Sequence, residues 1–254
     1  MAVARGTQTS ASLHNSYTVS NPRRRVGNPY ITTIDFISIV IGLYGYHEVT
    51  SFQLPPHLKD AGHWQFLTNL SLVYSLFVFI VGFVAHVTKS QTLFLFKNNL
   101  HPIGLALETI VAGVYWPLRL FFLHLLTKDP DNFNLPLVTD LCIHLMPVTS
   151  LLVDYLVFMP RWTISDNTAL GFVVLLTTFY WFLLDNLIDV EKGGSYPYEF
   201  MNVEKDSQRI GVFVVVAVVA FAQFLVMRRV YDWVVGKTEE ASELIDEELD
   251  KKEL

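Results

Sequence analysis

The sequence predicts an all-α integral membrane protein built as a bundle of six transmembrane helices. Hydrophobic residues make up 52% of the 254 residues and charged residues only 17%, whereas a soluble domain carries about a quarter charged residues. The apolar residues fall in long blocks, each close to the roughly 20 residues needed to cross hydrocarbon. The single cysteine, Cys142, excludes an internal disulfide framework.

The chain divides into a polar tail, a membrane domain and an acidic tail. Residues 1–29 are rich in Ser, Thr, Asn and Arg and predict a flexible cytosolic tail, and residues 30–236 contain the six spans. The predicted spans are 31–50, 66–88, 103–126, 135–158, 168–187 and 210–235. The first is the weakest, because Asp35 interrupts it. Residues 237–254, with three lysines against eight acids, form the acidic tail.

The distribution of Lys and Arg predicts the orientation. If the N-terminus is cytosolic, the connections on that side and the two tails carry twelve Lys and Arg, and the opposite side carries five. This bias follows the positive-inside rule and, with six spans, places both termini in the cytosol. Apart from the acidic tail the net charge is nearly neutral, so the sequence predicts a lipid bilayer as partner and no nucleic acid.

The last four residues, Lys251-Lys252-Glu253-Leu254, fit a dilysine pattern. With a cytosolic C-terminus, this pattern resembles a retrieval signal read by coat-type machinery and predicts a multi-pass protein of the endoplasmic reticulum membrane. A degenerate luminal KDEL signal is an alternative that needs a luminal C-terminus. An acidic helix that ends in two lysines by chance is another.

Polar residues within spans are costly and mark candidate sites. Thr68 opens the second span, and Ser71 and Ser75 continue its helix face, which is also typical of a seam for close helix packing. His144 lies in the fourth span with Asp140 one turn before it. Pro147 predicts a helix interruption just after this histidine.

Thr68 and His144 gain meaning as a pair. A threonine hydroxyl barely ionises near neutral pH, so attack on an ester needs a base within hydrogen-bond reach, and imidazole has a suitable pKa. Both residues enter from the same side of the membrane at similar depth. Arg119 in the third span needs an anionic partner, which is either Asp140, Asp154 or Asp185, or a lipid carboxylate or phosphate.

Other chemistries have no sequence support. No histidines or cysteines have convincing metal-ligand spacing, and phosphate-loop, dinucleotide and G-x-S-x-G patterns are missing. The sequence therefore predicts neither a metal nor a cofactor.

Several short stretches, in a shared order, carry a family resemblance. They are Trp64–Asn69, Gly113–Leu118, Asp131–Phe133, His144 and Tyr196-Pro197. Over roughly residues 61–236 the chain resembles the androgen-induced-gene family of membrane-embedded threonine hydrolases. The resemblance implies six spans, hydrolysis of fatty acid esters of hydroxy fatty acids, and Thr68 and His144 as the catalytic residues.

The resulting prediction is a lipid ester hydrolase in which Thr68 attacks and His144 is the base. Asp140 could orient His144, although four-residue spacing on one helix predicts a poor hydrogen bond. The oxyanion donor is Arg119, Asn69 or backbone N–H groups. The connection 188–209 is long enough to fold over the luminal mouth of the bundle.

Two other classes stay open. One is a non-catalytic lipid- or sterol-binding membrane protein. The other is a transporter with a charge relay formed by Asp35, Glu108, Arg119 and Asp154.

Overall fold

The computed structural model describes residues 22–131 and 133–253, with side chains for 23–131 and 133–236. Every element in this part of the chain is helical. Six long helices are α1 (Pro29–Ser51), α2 (Leu67–Thr88), α3 (Gln91–Phe121), α4 (Leu137–Phe158), α5 (Asp166–Leu187) and α6 (Asp206–Glu253). The predicted tail 1–29 lies outside the described residues up to position 21, and so does the last residue of the acidic tail.

Five of these helices, α2 to α6, are long and apolar enough to cross a membrane, the apolar part of α6 ending at Gly236. Helix α1 occupies the first predicted span and is also long enough, but it is too polar to be counted with the others. Its buried residues include Asp35, Ser38 and Gly42, while Phe36 and Val40 are exposed. Apolar side chains on the outer face of α1 favour a lipid environment. Because α1 as a whole is too polar to qualify by composition, its role as the sixth span stays a prediction.

Helix α3 begins twelve residues before its predicted span. Ser90 caps its first turn, its hydroxyl accepting from the N–H of Leu93. The first turns carry Lys97, Asn98 and His101, which are buried. Because these residues are polar, hydropathy does not identify this part of the helix as a span. The other boundaries agree with the prediction to within five residues, except that α6 continues as a helix to Glu253.

The bundle has two ends with different polar chemistry. The threonine end comprises the starts of α2 and α4 and the connection 188–205. The arginine end comprises residues 22–28, the end of α2 at His86, and the end of α4. Arg24 contacts both Met159 and Tyr231, so the segment before α1 and the late turns of α6 lie at the same end.

The connection after α5 is folded against the threonine end. The backbone N–H of Ser195, in the connection, donates to the carbonyl of His57 at 3.0 Å. In α5, which precedes the connection, the Tyr180 hydroxyl donates to the carbonyl of Gln65 at 2.8 Å. Tyr198 packs edge-on against Phe66, the residue before α2. These contacts fix the connection above the first turn of α2.

Candidate active site

Thr68 lies in the first turn of α2 and faces the bundle interior, with 7% of its surface exposed. Its Oγ1 is 3.4 Å from Nε2 of His144 on α4. Two helices that enter from the same end therefore bring these residues together, which their predicted depth allowed. The distance lies at the long limit of a hydrogen bond and suits a nucleophile and base without bound substrate.

Asp140 orients the imidazole from the opposite side. Its Oδ1 is 2.8 Å from Nδ1 of His144. The expected poor geometry for this spacing is wrong, because helical side chains lean back toward the preceding turn, where the carboxylate lies. Since a carboxylate accepts, Nδ1 carries the proton and Nε2 is left as an acceptor toward Thr68.

The helix interruption predicted from Pro147 lies directly after the histidine. The first part of α4 ends at His144, a turn at Leu145 with φ −117° and ψ −45° follows, and the second part begins at Met146. The imidazole therefore projects from the last turn before the helix is interrupted. This places the ring between α2 and α3.

Tyr115 on α3 fixes the plane of the imidazole. Its ring is stacked on that of His144, with centroids 3.4 Å apart and planes inclined by 5°. Sequence reasoning did not single out Tyr115, although it lies within the Gly113–Leu118 stretch. The available sequence signal was its spacing of four residues from Arg119, which places both side chains on one face of α3. In the structure both side chains face Asp140.

Arg119 pairs with Asp140 and not with Asp154 or Asp185. Its Nε is 3.6 Å from Asp140 Oδ2, and the guanidinium lies 4.9 Å from the ring centre of Phe133. The side chain keeps 29% of its surface exposed. The cation therefore has a structural partner and an accessible edge at the same time.

The other polar residues of α2 are engaged elsewhere. Asn69 Nδ2 donates to the carbonyl of His63 at 2.8 Å, so this amide braces the segment before α2. Ser71 donates to the carbonyl of Thr68 at 3.0 Å, and Ser75 donates to Glu108 Oε1 at 2.8 Å. Among the hydroxyls of this helix face, Thr68 is the one that contacts a histidine.

A long apolar cavity begins at Thr68. It lies between α3, α5 and α6, and its volume is about 160 Å³. Its walls run along α3 from Tyr115 to Pro102, a distance of about 20 Å at 1.5 Å per residue. One leaflet of a bilayer, about half of its ~30 Å core, has a similar depth. The cavity is therefore long enough for one acyl chain.

The connection 188–205 closes the end of this cavity beside Thr68. Tyr198, Phe200 and Met201 line it there. The Tyr198 phenol lies against the Thr68 hydroxyl and the backbone N–H groups of Leu67 and Thr68, and burial raises the pKa of this phenol. Because the phenol is neutral at physiological pH, it can donate its proton. Sequence reasoning assigned no role to Tyr198.

The four residues of the possible charge relay do not form one continuous group. Asp35 and Asp154 share Lys97 at the arginine end, Arg119 belongs to the threonine end, and Glu108 accepts from Ser75 between them. The Lys97 ammonium is 2.7 Å from Asp154 Oδ2 and 3.2 Å from Asp35 Oδ2.

The apolar helices and the buried polar residues between them define an integral membrane protein, and comparison with known proteins gives its family. The FAR-17a/AIG1-like protein family matches residues 30–232. The chain belongs to this family, as the sequence predicted.

Two fungal relatives extend over most of the chain. "UPF0641 membrane protein YHR140W" of Saccharomyces cerevisiae is 32% identical over 211 residues, which cover 77% of this chain and 88% of the relative. "UPF0641 membrane protein PJ4664.05" of Schizosaccharomyces pombe is 29% identical over 171 residues, covering 67% and 76%. No solved structure matches the chain.

Proposed function

We propose that this membrane protein is a lipid ester hydrolase whose nucleophile is Thr68 and whose general base is His144. The observation that carries the proposal is the 3.4 Å approach of Thr68 Oγ1 to His144 Nε2 at the end of a long apolar cavity. A hydroxyl beside an oriented imidazole is the arrangement that nucleophilic ester cleavage needs. Here the cavity supplies a place for the acyl chain.

The reaction proceeds in two steps. Thr68 Oγ1 attacks the ester carbonyl carbon as its proton passes to Nε2 of His144, and the alcohol oxygen leaves with that proton. The product is an acyl-threonine. Water then attacks the same carbon, again losing its proton to Nε2. The C–O bond to Thr68 breaks as Nε2 returns this proton to Oγ1, which releases a fatty acid and restores the threonine.

Asp140 and Tyr115 hold the base in position during both steps. The carboxylate of Asp140 keeps the Nδ1 proton in place and stabilises the imidazolium that forms, as the buried Asp does in a serine-protease triad. The stacked ring of Tyr115 prevents rotation of the imidazole out of line. Arg119 balances the charge of Asp140 from its far side.

The oxyanion is stabilised at the start of α2. The N–H groups of Leu67 and Thr68 belong to the first turn of the helix and have no carbonyl partner within it. The positive end of the helix dipole adds to their effect. Tyr198 already brings its phenol oxygen to these N–H groups, which indicates that they can hold an oxygen atom beside the nucleophile.

The substrate class follows from the family resemblance and from Arg119. A fatty acid ester of a hydroxy fatty acid carries one acyl chain to be released and a free carboxylate on the other chain. The exposed edge of Arg119 lies near the nucleophile's base and suits that carboxylate. The apolar cavity suits the chain that becomes attached to Thr68.

Hydrolysis by the purified protein tests the proposal. Wild-type protein in detergent is expected to release free fatty acid from such an ester, and Thr68→Ala and His144→Ala are each expected to abolish release. Ser71→Ala is the matched control, since it removes a hydroxyl one turn away and should leave the rate within about twofold.

Two results would contradict the proposal. Full activity of Thr68→Ala would exclude the nucleophile. Lipid binding that survives Thr68→Ala, with no turnover by the wild type, would favour the non-catalytic binding protein.

The proposed location is the endoplasmic reticulum membrane, on the strength of Lys251 and Lys252. Their side chains lie outside the described part of the structure. In cells, replacing both lysines by alanine should redistribute a tagged protein to later compartments. Unchanged retention would exclude the dilysine signal.

A further inference from the structure

The segment before α1 contains three consecutive arginines, and the middle one points into the bundle. Arg24 donates from Nη1 to the carbonyl of Met159 at 2.6 Å and to the Tyr231 hydroxyl at 2.7 Å. Its Nη2 donates to the carbonyl of Leu156 at 3.0 Å. With 4% of its surface exposed, Arg24 anchors a segment that the sequence assigned to a tail.

The end of α4 explains why Arg24 is held there. The last turn, Asp154–Phe158, is a π-helix, a form in which the ordinary backbone ladder is interrupted. Carbonyl groups at a helix C-terminus lack helical partners and form the negative end of the dipole. A guanidinium satisfies both needs, so residues 22–28 are fixed against α4 and α6.

Anchoring of the middle arginine places its two neighbours beside a surface cleft. Arg23 and Arg25 line this cleft together with the start of α1 at Tyr30. Its floor is apolar and is formed by Ile34 of α1 and Phe158 of α4.

A further cation lies next to the same segment. Gly27 has a φ of +87°, and the aliphatic part of Lys89 packs where a side chain at this glycine would be. The Gly27 N–H donates to Nδ1 of His86 at 3.0 Å. The end of α2 thus joins the segment, and the Lys89 side chain packs beside Gly27, which lines the same cleft.

We propose that this cleft binds the phosphate-bearing head group of an anionic phospholipid, with the acyl chains along Ile34 and Phe158. Guanidinium groups bind phosphate oxygens bidentately. An apolar floor directly beside cationic side chains matches an amphiphile better than a soluble anion. The cleft lies at the end predicted to be cytosolic, where anionic lipids attract basic segments. This site is separate from the threonine end and does not depend on the proposed hydrolysis.

The test measures lipid binding to the full chain in neutral phosphatidylcholine nanodiscs. A fluorescent phosphatidic acid is the probe, and inorganic phosphate is the soluble competitor. Wild-type protein should prefer phosphatidic acid over phosphatidylcholine. The double variant Arg23→Gln, Arg25→Gln should weaken binding by about 30-fold. Each cation at the surface contributes roughly fivefold in affinity, and the two contributions multiply.

Two single variants separate the cleft from general surface charge. Thr33→Trp fills the cleft from exposed α1 without changing charge and should also abolish the preference. Arg229→Gln removes an exposed cation of α6 and should leave affinity within about twofold. The thermal midpoint of each variant, measured in the same nanodiscs, should stay at the wild-type value.

Three outcomes would overturn the proposal. Unchanged affinity of the double arginine variant would exclude the cations. A Thr33→Trp variant that still prefers phosphatidic acid would show diffuse surface attraction instead of a cleft. Complete displacement of the probe by millimolar inorganic phosphate would assign the site to a soluble phosphate.

Discussion

The two ends of the bundle bury charged side chains in different ways. At the threonine end, Asp140 and His144 lie behind Thr68 and Tyr115, which line a long cavity, and Arg119 is partly exposed. At the arginine end, Lys97 and its two carboxylates are at most 1% exposed, and none of the three lines a cavity described here.

The contrast between the two ends indicates which buried polar groups are candidates for chemistry. The lysine at the arginine end is bound by both Asp35 and Asp154, so this group of ion pairs holds α1, α3 and α4 together. At the threonine end, Nε2 of His144 is left as an acceptor toward a hydroxyl next to a cavity. Burial alone does not mark a site, whereas burial beside accessible space does.

The largest expected effect is on catalysis at the threonine end. Asp140→Asn should lower the rate of ester hydrolysis by about 10⁴-fold, as it does for the orienting Asp of a serine-protease triad, because the amide favours the wrong imidazole tautomer. Steady-state kinetics with a fluorogenic acyl ester measures it. Asp185→Asn, at an exposed position of α5, is the control and should have wild-type kcat.

Wild-type kcat in Asp140→Asn would mean that the 2.8 Å contact is only structural. An unchanged thermal midpoint in this variant is needed to assign the loss to chemistry.

The next effect is on stability at the arginine end. Lys97→Met leaves two buried carboxylates without their cation and should lower the free energy of unfolding by about 3–5 kcal/mol. Thermal unfolding in detergent measures it as a lower midpoint. The hydrolysis rate per folded molecule should stay unchanged, because the cavity does not reach this group.

Two further variants sharpen this result. Lys59→Met, at an exposed position, should have no effect on the midpoint. Replacing Asp35, Lys97 and Asp154 together by Leu, Met and Leu should recover most of the lost stability, since no unpaired charge is left. A catalytic defect in folded Lys97→Met would show that the two ends are coupled.

A smaller stability effect is expected from the packing around the same charges. A Cβ at Gly82 would overlap Asp35 Oδ2 and Lys97 Nζ, so Gly82→Ala should destabilise the protein by about 1–3 kcal/mol. Gly113→Ala is the control, because nothing lies within 4 Å of its Cβ position. On an exposed helix face it should stabilise the protein by up to about 1 kcal/mol. Equal midpoints for the two alanine variants would contradict this account.

The smallest effect tests the connection that covers the threonine end. Tyr198→Phe removes the hydroxyl that lies against Thr68 and can donate its proton to the oxyanion there. The variant should therefore have a kcat lower by roughly tenfold, or about 1.4 kcal/mol, the usual size of one hydrogen bond. Tyr196→Phe is the control, since that ring packs under Arg209. If both variants retain wild-type kcat, Tyr198 closes the cavity without taking part in the reaction.

The class, the family and the approximate positions of five spans could be predicted from the order of the amino acids. Apolar blocks of membrane-crossing length have few alternatives to helices in lipid, because every backbone polar group must be satisfied within the segment. Polar groups at such depth are rare, so the sequence could identify four site candidates: Thr68, His144, Asp140 and Arg119. The early turns of α3 escaped prediction, since Lys97 and His101 are polar and their buried partners come from other helices.

How these residues combine could be seen only in the folded chain. It placed Thr68 against His144, assigned Arg119 to Asp140 and Lys97 to two carboxylates, and stacked Tyr115 on the imidazole. It also brought Tyr198 over α2 and turned Arg24 inward. The physical reason is that hydropathy fixes only the depth of a residue in the membrane. Its partners depend on how each helix is rotated and packed, which is set by contacts between residues distant in the sequence.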